Sequence, residues 1–231
     1  MIAGVVLKCA NELEEVKLVD EVRSLLKRPE RKPLHFRDLR HEHRVPYAER
    51  ISGSGLRAFS ILVHKPSLME PENFAQGNRL YFYATRYLLE RVSWYCRDHR
   101  PQQDTGDGSV EVVFSNRSGM SYESLRGYLK RLEANSPAWG VTIDWNVINC
   151  DQVRSLCHGK RMGLQIADAV ASSAYYAVQP SQYGFTEDRY LRILLPRFYR
   201  YKGSLWGYGI KLWPKEAEAI RARGEVLSEV K

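Results

Sequence analysis

The chain of 231 residues is 44% hydrophobic and 27% charged, the ordinary make-up of a soluble globular protein with room for a substantial core. Its formal charge of +8 makes polyanions reasonable partners but says nothing about fold. No run approaches the roughly 18 apolar residues a membrane span requires, and the scattered Cys9, Cys96, Cys150 and Cys157 form no CxxC pair, which argues against a disulfide framework or zinc knuckle and for reduced thiols.

Met1 to Leu7 is apolar but too short for a signal peptide and lacks a basic leader, so the expected location is the cytoplasm. Ile2 to Leu7 reads as a buried strand. Asn11 is suited to cap a helix to about Lys27, with Leu13, Val16, Leu18, Val19, Val22, Leu25 and Leu26 on its apolar face, and Pro29 and Pro33 end it. Lys27 to Arg50 is rich in Lys and Arg and holds His35, His41 and His43. A short helix is expected from Pro46 to about Ile51, broken by Ser52-Gly53-Ser54-Gly55.

Arg57 to His64 reads as a second strand and Asn78 to about His99 as the longest helix, rich in aromatic residues. Val110 to Phe114 is a third expected strand, and Ser121 caps a helix to about Leu132. Val141 to Cys150, with Ile143, Trp145, Val147 and Ile148 read as its alternating apolar positions, predicts a fourth strand. A helix is expected from Glu187 to about Phe198, then a basic, aromatic segment from Arg197 to Trp213, then a last helix from Pro214 to about Val226. Strands alternating with helices after the long helix predict an α/β sheet.

Gly163 to Val178 stands out. It is Ala-rich, holds no Gly after its start and stops before Pro180, so it predicts a helix of about four turns buried on more than one side. It carries one carboxylate, Asp168, with Gln165 and Ser172 on the same face. No Lys, Arg or His occurs between Met162 and Asp188. A lone buried carboxylate is costly unless it is paired, protonated or bound to metal. Asp168 is therefore either bonded to backbone or a distant Arg, or it is a metal ligand or catalytic group.

Four motifs occur in order: His35-Phe36-Arg37-Asp38-Leu39, Ser115-Asn116-Arg117-Ser118-Gly119, Gly163-Leu164-Gln165-Ile166-Ala167-Asp168 and Tyr208-Gly209-Ile210-Lys211. Together they resemble the domain of unknown function 3800 family, which is placed among RNase H-like folds. The resemblance implies one RNase H-like domain over residues 1–231, a mixed sheet flanked by helices, with a helical insertion at 10–55 and a C-terminal extension at 187–231. It also implies a metal-dependent nuclease that hydrolyses phosphodiesters with Mg²⁺ or Mn²⁺ held by several carboxylates. The implied last-helix ligand is Asp168, and the long helix offers Glu90. Asn116 stands where a carboxylate would be expected, and it brings no charge. His35 and Asp38 are implied to face the cleft.

The family usually opens with a strand ending in Asp-Glu-Ser-Gly, and no such segment precedes Ile2 in this sequence. Without that strand, the resemblance implies a chain start upstream of Met1, an inward shift of Ile2 to Leu7 to pair with Val110 to Phe114, or a strand donated by a partner. A poorly soluble or homo-oligomeric chain is then expected. A catalytically silent nucleic-acid-binding or assembly module is the rival reading.

Three smaller readings complete the sequence. The spacing of His35, His41 and His43 matches no helical pair for zinc, and Asp38 with Arg40 to Arg44 reads as a solvated or salt-bridged helix start. Arg117 and its neighbours form either a plain strand-to-helix turn or a phosphate contact. Trp206 and Lys211 belong to a segment of alternating rings and cations that either stacks bases and neutralises phosphates or packs into the core.

Overall fold

A computed structural model of the chain describes residues 1–8, 12–29, 32–100, 106–214 and 225–229. Its strands are β1 (Ile2–Val6), β2 (Arg57–Val63), β3 (Val113–Ser115), β4 (Arg154–Leu156) and β5 (Ile210–Trp213). Its helices are α1 (Glu12–Leu25), α2 (His41–Ser52), α3 (Arg79–Asp98), α4 (Tyr122–Ala134), α5 (Ser136–Trp139), α6 (Met162–Val178), α7 (Arg189–Leu194) and α8 (Glu225–Glu229). The protein is thus mixed α/β, with small sheets flanked by helices. Among the described residues no helix is long and apolar enough to cross a membrane.

The chain divides into two compact units, residues 1–68 with 158–231, and residues 69–157. In the first, β2 is the central strand: it pairs antiparallel with β1 and parallel with β5. Its run Ala58, Phe59, Ser60, Ile61 and Leu62 is buried throughout, as a strand covered on both faces requires. α6 packs on β1 and β2 and also touches α1 and α7. Its small residues Ala169, Ser173, Ala174 and Ala177 are buried and permit that close approach. Removing a fully enclosed residue here, as in Ile166→Ala, costs about 2–5 kcal/mol.

In the second unit, Leu88, Leu89 and Val92 of α3 and Leu125, Leu129 and Leu132 of α4 are buried, and Phe82 stacks on Tyr128 with ring centroids 5.6 Å apart. β3 and β4 pair in parallel. The Ser121 hydroxyl accepts the Ser124 amide and caps α4 as its sequence predicts.

Several expectations need correction. Val141 to Cys150 is not a strand. Asp144 accepts the amide of Asn146 through its side chain and those of Val147 and Ile148 through its carbonyl, so the backbone turns there. Ile143, Val147 and Ile148 are nonetheless buried, so the alternation reflects burial and not extension. The strand that pairs with β3 is β4 instead. Helix α2 begins at His41 and not at Pro46. Pro46 removes one helical donor, while Tyr47, Ala48 and Ile51 are buried and hold the helix across it.

β5 lies at the end of the segment expected to be basic and aromatic, where no strand is predicted. Its pairing follows a close approach at Gly209, where a side chain would collide with the backbone of Tyr199 and the Leu205 side chain. β1 pairs with β2, not with residues 110–114. The proposed Asn11 cap and most of the last expected helix lie outside the described residues.

Candidate metal centre

The site is assembled on α6 within the first unit. His35, the residue ahead of the short turn Phe36–Asp38, is extended at φ −107° and ψ 117°. Alternate peptides along such a segment point the same way, so the amides of Leu34 and Phe36 face α6 together. There they meet two side chains one helical turn apart. Leu34 N–H donates to Gln165 Oε1 at 2.7 Å, and Phe36 N–H donates to Asp168 Oδ2 at 2.9 Å. Gln165 is fully enclosed, while the Asp168 side chain keeps 28% of its exposure.

The short turn His158–Lys160 precedes α6 and brings a second imidazole to this strap. Gly159 lets it approach, because a Cβ there would lie 2.8 Å from Pro33 Cγ. His158 Nε2 lies 3.1 Å from the Leu34 carbonyl oxygen, and its ring stacks on His35 with centroids 4.2 Å apart and planes 9° apart. His35 Nδ1 is 3.8 Å from Asp168 Oδ2. One ligand atom from each of His35, His158 and Asp168 can be chosen so that all lie within 4.8 Å of one another.

Burial lowers the pKa of His158, and His35 beside it adds to the effect, against the opposing pull of the Leu34 carbonyl and Asp168. The imidazole is therefore neutral near pH 7, the form that binds metals. A carbonyl only accepts, so the Leu34 contact places the His158 proton on Nε2. Two imidazole nitrogens and a carboxylate form a donor set suited to a first-row divalent ion such as Mn²⁺ or Zn²⁺ more than to oxygen-seeking Mg²⁺.

Asp168 therefore differs from the lone buried carboxylate that its sequence suggests. It is half-buried, and its partners are a peptide amide and an imidazole from residues 35–36, distant in sequence, and a second imidazole just ahead of its own helix. Burial and Asp168 both raise the pKa of the enclosed Tyr47 phenol, against the weaker opposing pull of Arg23.

The other predicted residues fall elsewhere. Glu90 belongs to the second unit, is 4% exposed, and lies 3.2 Å from Arg86, 3.3 Å from Arg91 and 3.3 Å from the Thr142 amide. Asn116 and Arg117 are exposed after β3, with Arg117 5.5 Å from the Tyr81 ring centroid. Asp38 is 65% exposed and 3.6 Å from Arg37, as a salt-bridged helix start would have it. His41 is taken up by the Tyr190 hydroxyl at 2.6 Å and Arg189 at 3.0 Å. Phe198 and Tyr199 are buried and Trp206 packs against the core, which favours the packing role for those rings. Lys211 lies half-buried in β5.

The sequence reading missed His158. Its signal was modest: an imidazole just ahead of the helix that carries Asp168. Cys96, Cys150 and Cys157 are free thiols, and burial pushes the first two up to about 12, which leaves them unreactive; Cys9 lies outside the described residues. No protein-family model matches the chain, and no match is found among curated proteins or among solved structures.

Proposed function

We propose that the chain is an RNase H-like, divalent-metal-dependent phosphodiesterase that acts on nucleic acid in the cytoplasm. The observation that carries this reading is the convergence of His35, His158 and Asp168 on one centre. These three residues would hold the ion, and the donor set favours Mn²⁺ over Mg²⁺. A divalent ion bound there supplies Lewis-acid polarisation of a phosphoryl oxygen and a water of lowered pKa. Asp168 contributes the negative charge that retains the cation, while Phe36 N–H holds one of its oxygens in place.

The segment bearing His35 also carries Arg37 and Arg40, whose side chains are 77% and 83% exposed and available to phosphates. Such contacts make affinity fall steeply with salt through counterion release.

The rival reading, a catalytically silent nucleic-acid-binding or assembly module, draws on Glu90 and Asn116. Glu90 is already matched by two arginines, and Asn116 brings no charge. Calorimetric titration with Mn²⁺, Zn²⁺ and Mg²⁺, followed by cleavage assays on single- and double-stranded oligonucleotides, separates the readings. The enzyme reading expects Mn²⁺ binding and Mn²⁺-dependent cleavage, both abolished in Asp168→Asn. Metal binding or nucleic-acid binding without cleavage supports the silent module. Absence of any metal binding by the unaltered protein overturns the metal reading.

A further inference from the structure

We infer that the hairpin tip at residues 201–204 is a finger that grips the phosphate backbone of a nucleic acid through Lys202. The inference deepens the nucleic-acid half of the proposed function and rests on it. Tyr201 N–H donates to the Ser204 carbonyl at 3.0 Å and Ser204 N–H to the Tyr201 carbonyl at 2.9 Å, which closes a two-residue turn. Both central residues have positive φ, +48° at Lys202 and +85° at Gly203, as in the type I′ turn that suits a hairpin.

Gly203 takes that conformation freely. Lys202 does not: the left-handed region favours Gly, Asn or Asp, and a lysine lacks the short polar group that offsets the crowding by bonding the local backbone. Local stability therefore does not account for Lys202, and a strained residue at an exposed tip points to a use for its side chain. Its ammonium lies 5.4 Å from the ring centroid of Tyr201, which is 37% exposed and backed by the Tyr208 ring at 5.0 Å. The ring holds the cation at the tip without neutralising it. Arg200, also exposed, donates from Nη1 to the Gly203 carbonyl at 3.0 Å and braces the turn. The base is rooted in the core, with Phe198, Tyr199 and Leu205 buried and Tyr199 N–H donating to the Ala58 carbonyl at 3.2 Å. Such a mount leaves little to order on binding.

Charge decides the partner. From Arg189 to Trp213 the chain holds six Arg and Lys and no Asp or Glu, so this stretch carries most of the formal charge of +8. A field of one sign draws in phosphates. The tip sequence Tyr-Lys-Gly-Ser offers no aliphatic side chain to enter a membrane.

Anisotropy of labelled single- and double-stranded oligonucleotides, titrated from about 50 to 200 mM salt, tests the finger. Lys202→Asn removes the cation and suits the turn. It should melt higher than the unaltered protein, bind several-fold more weakly and reduce the slope of log affinity against log salt by roughly 0.7–0.9, one phosphate contact. Lys65→Asn removes an equal charge from the exposed turn Lys65–Ser67, at the far end of β2 from the hairpin, and should leave that slope unchanged. Unchanged affinity and slope in Lys202→Asn, or an equal loss in Lys65→Asn, overturn the finger and leave the nucleic-acid reading standing. A lower melting temperature in Lys202→Asn shows that Lys202 serves the turn and overturns the finger likewise. An unaltered protein that binds neither oligonucleotide, or binds only anionic phospholipid vesicles, overturns both.

Discussion

Each unit places a carboxylate in the middle of its longest helix, and the two are compensated in opposite ways. Glu90 on α3 lies between Arg86 and Arg91, with side chains 12% and 5% exposed, and also receives the Thr142 amide. Among the described residues, Asp168 on α6 meets a peptide amide and two imidazoles and no guanidinium. Permanent cations neutralise Glu90 within the fold. Imidazoles are no such permanent cations and, like the carboxylate, can offer lone pairs to a metal. An acidic residue on a buried helix is thus a candidate site only when its partners are groups that themselves bind metals or protons.

The sharpest way to break this contrast is to remove each charge. Glu90→Gln should lower folding stability by about 3–5 kcal/mol, because it leaves buried arginines unmatched. Denaturant unfolding measures that loss, and Mn²⁺ binding should persist in the folded fraction. Asp168→Asn should do the reverse. Its amide oxygen still accepts Phe36 N–H, so the melting temperature should change little. Mn²⁺ affinity should fall by more than the roughly 10–100-fold typical of losing an outer partner. Equal effects on stability would erase the distinction.

Glu15 on α1 sharpens the comparison as a third case. Burial raises its pKa above the ordinary 4.5, opposed only in part by a hydrogen bond from the Gly163 amide at the start of α6. The folded state therefore holds this proton more tightly than the unfolded chain. The stability it contributes is complete below pH 4.5 and is lost as pH rises through that value and the folded pKa. Glu15→Gln should gain on the unaltered protein across that rise, as melting temperatures from about pH 4.5 to 7.5 would show. The smallest effect should come from Asp38→Asn. This exposed carboxylate should change stability by no more than about 0.5 kcal/mol and leave Mn²⁺ affinity unaltered in the same titration.

Much of the frame was legible in the sequence because it follows local rules. α6 shows its Ala-rich composition and its stop before Pro180, α4 shows its Ser121 cap, and β1 and β2 show apolar runs. Asp168 stood out because no opposite charge lay near it in sequence. What was not legible depended on contacts between distant segments. His158 joins Leu34 across 124 positions, and Phe36 joins Asp168 across 132. The misread stretch at 141–150 shows a second limit. Burial on one side produces the same alternation whether the backbone extends or turns, and Asp144 decides for the turn.

The strap at 34–36 has a consequence for how such a centre drifts over generations. Two of the contacts that hold it come from peptide amides, those of Leu34 and Phe36, and a third comes from the Leu34 carbonyl. Every residue except proline supplies these same amides, so substitutions at those two positions are filtered by volume alone and not by chemistry. Only His35, His158, Gln165 and Asp168 need keep their side-chain identity. Four letters, one of them more than a hundred positions from the next, leave a faint heritable signature. Descendants could preserve the centre intact while nearly all the surrounding text is rewritten.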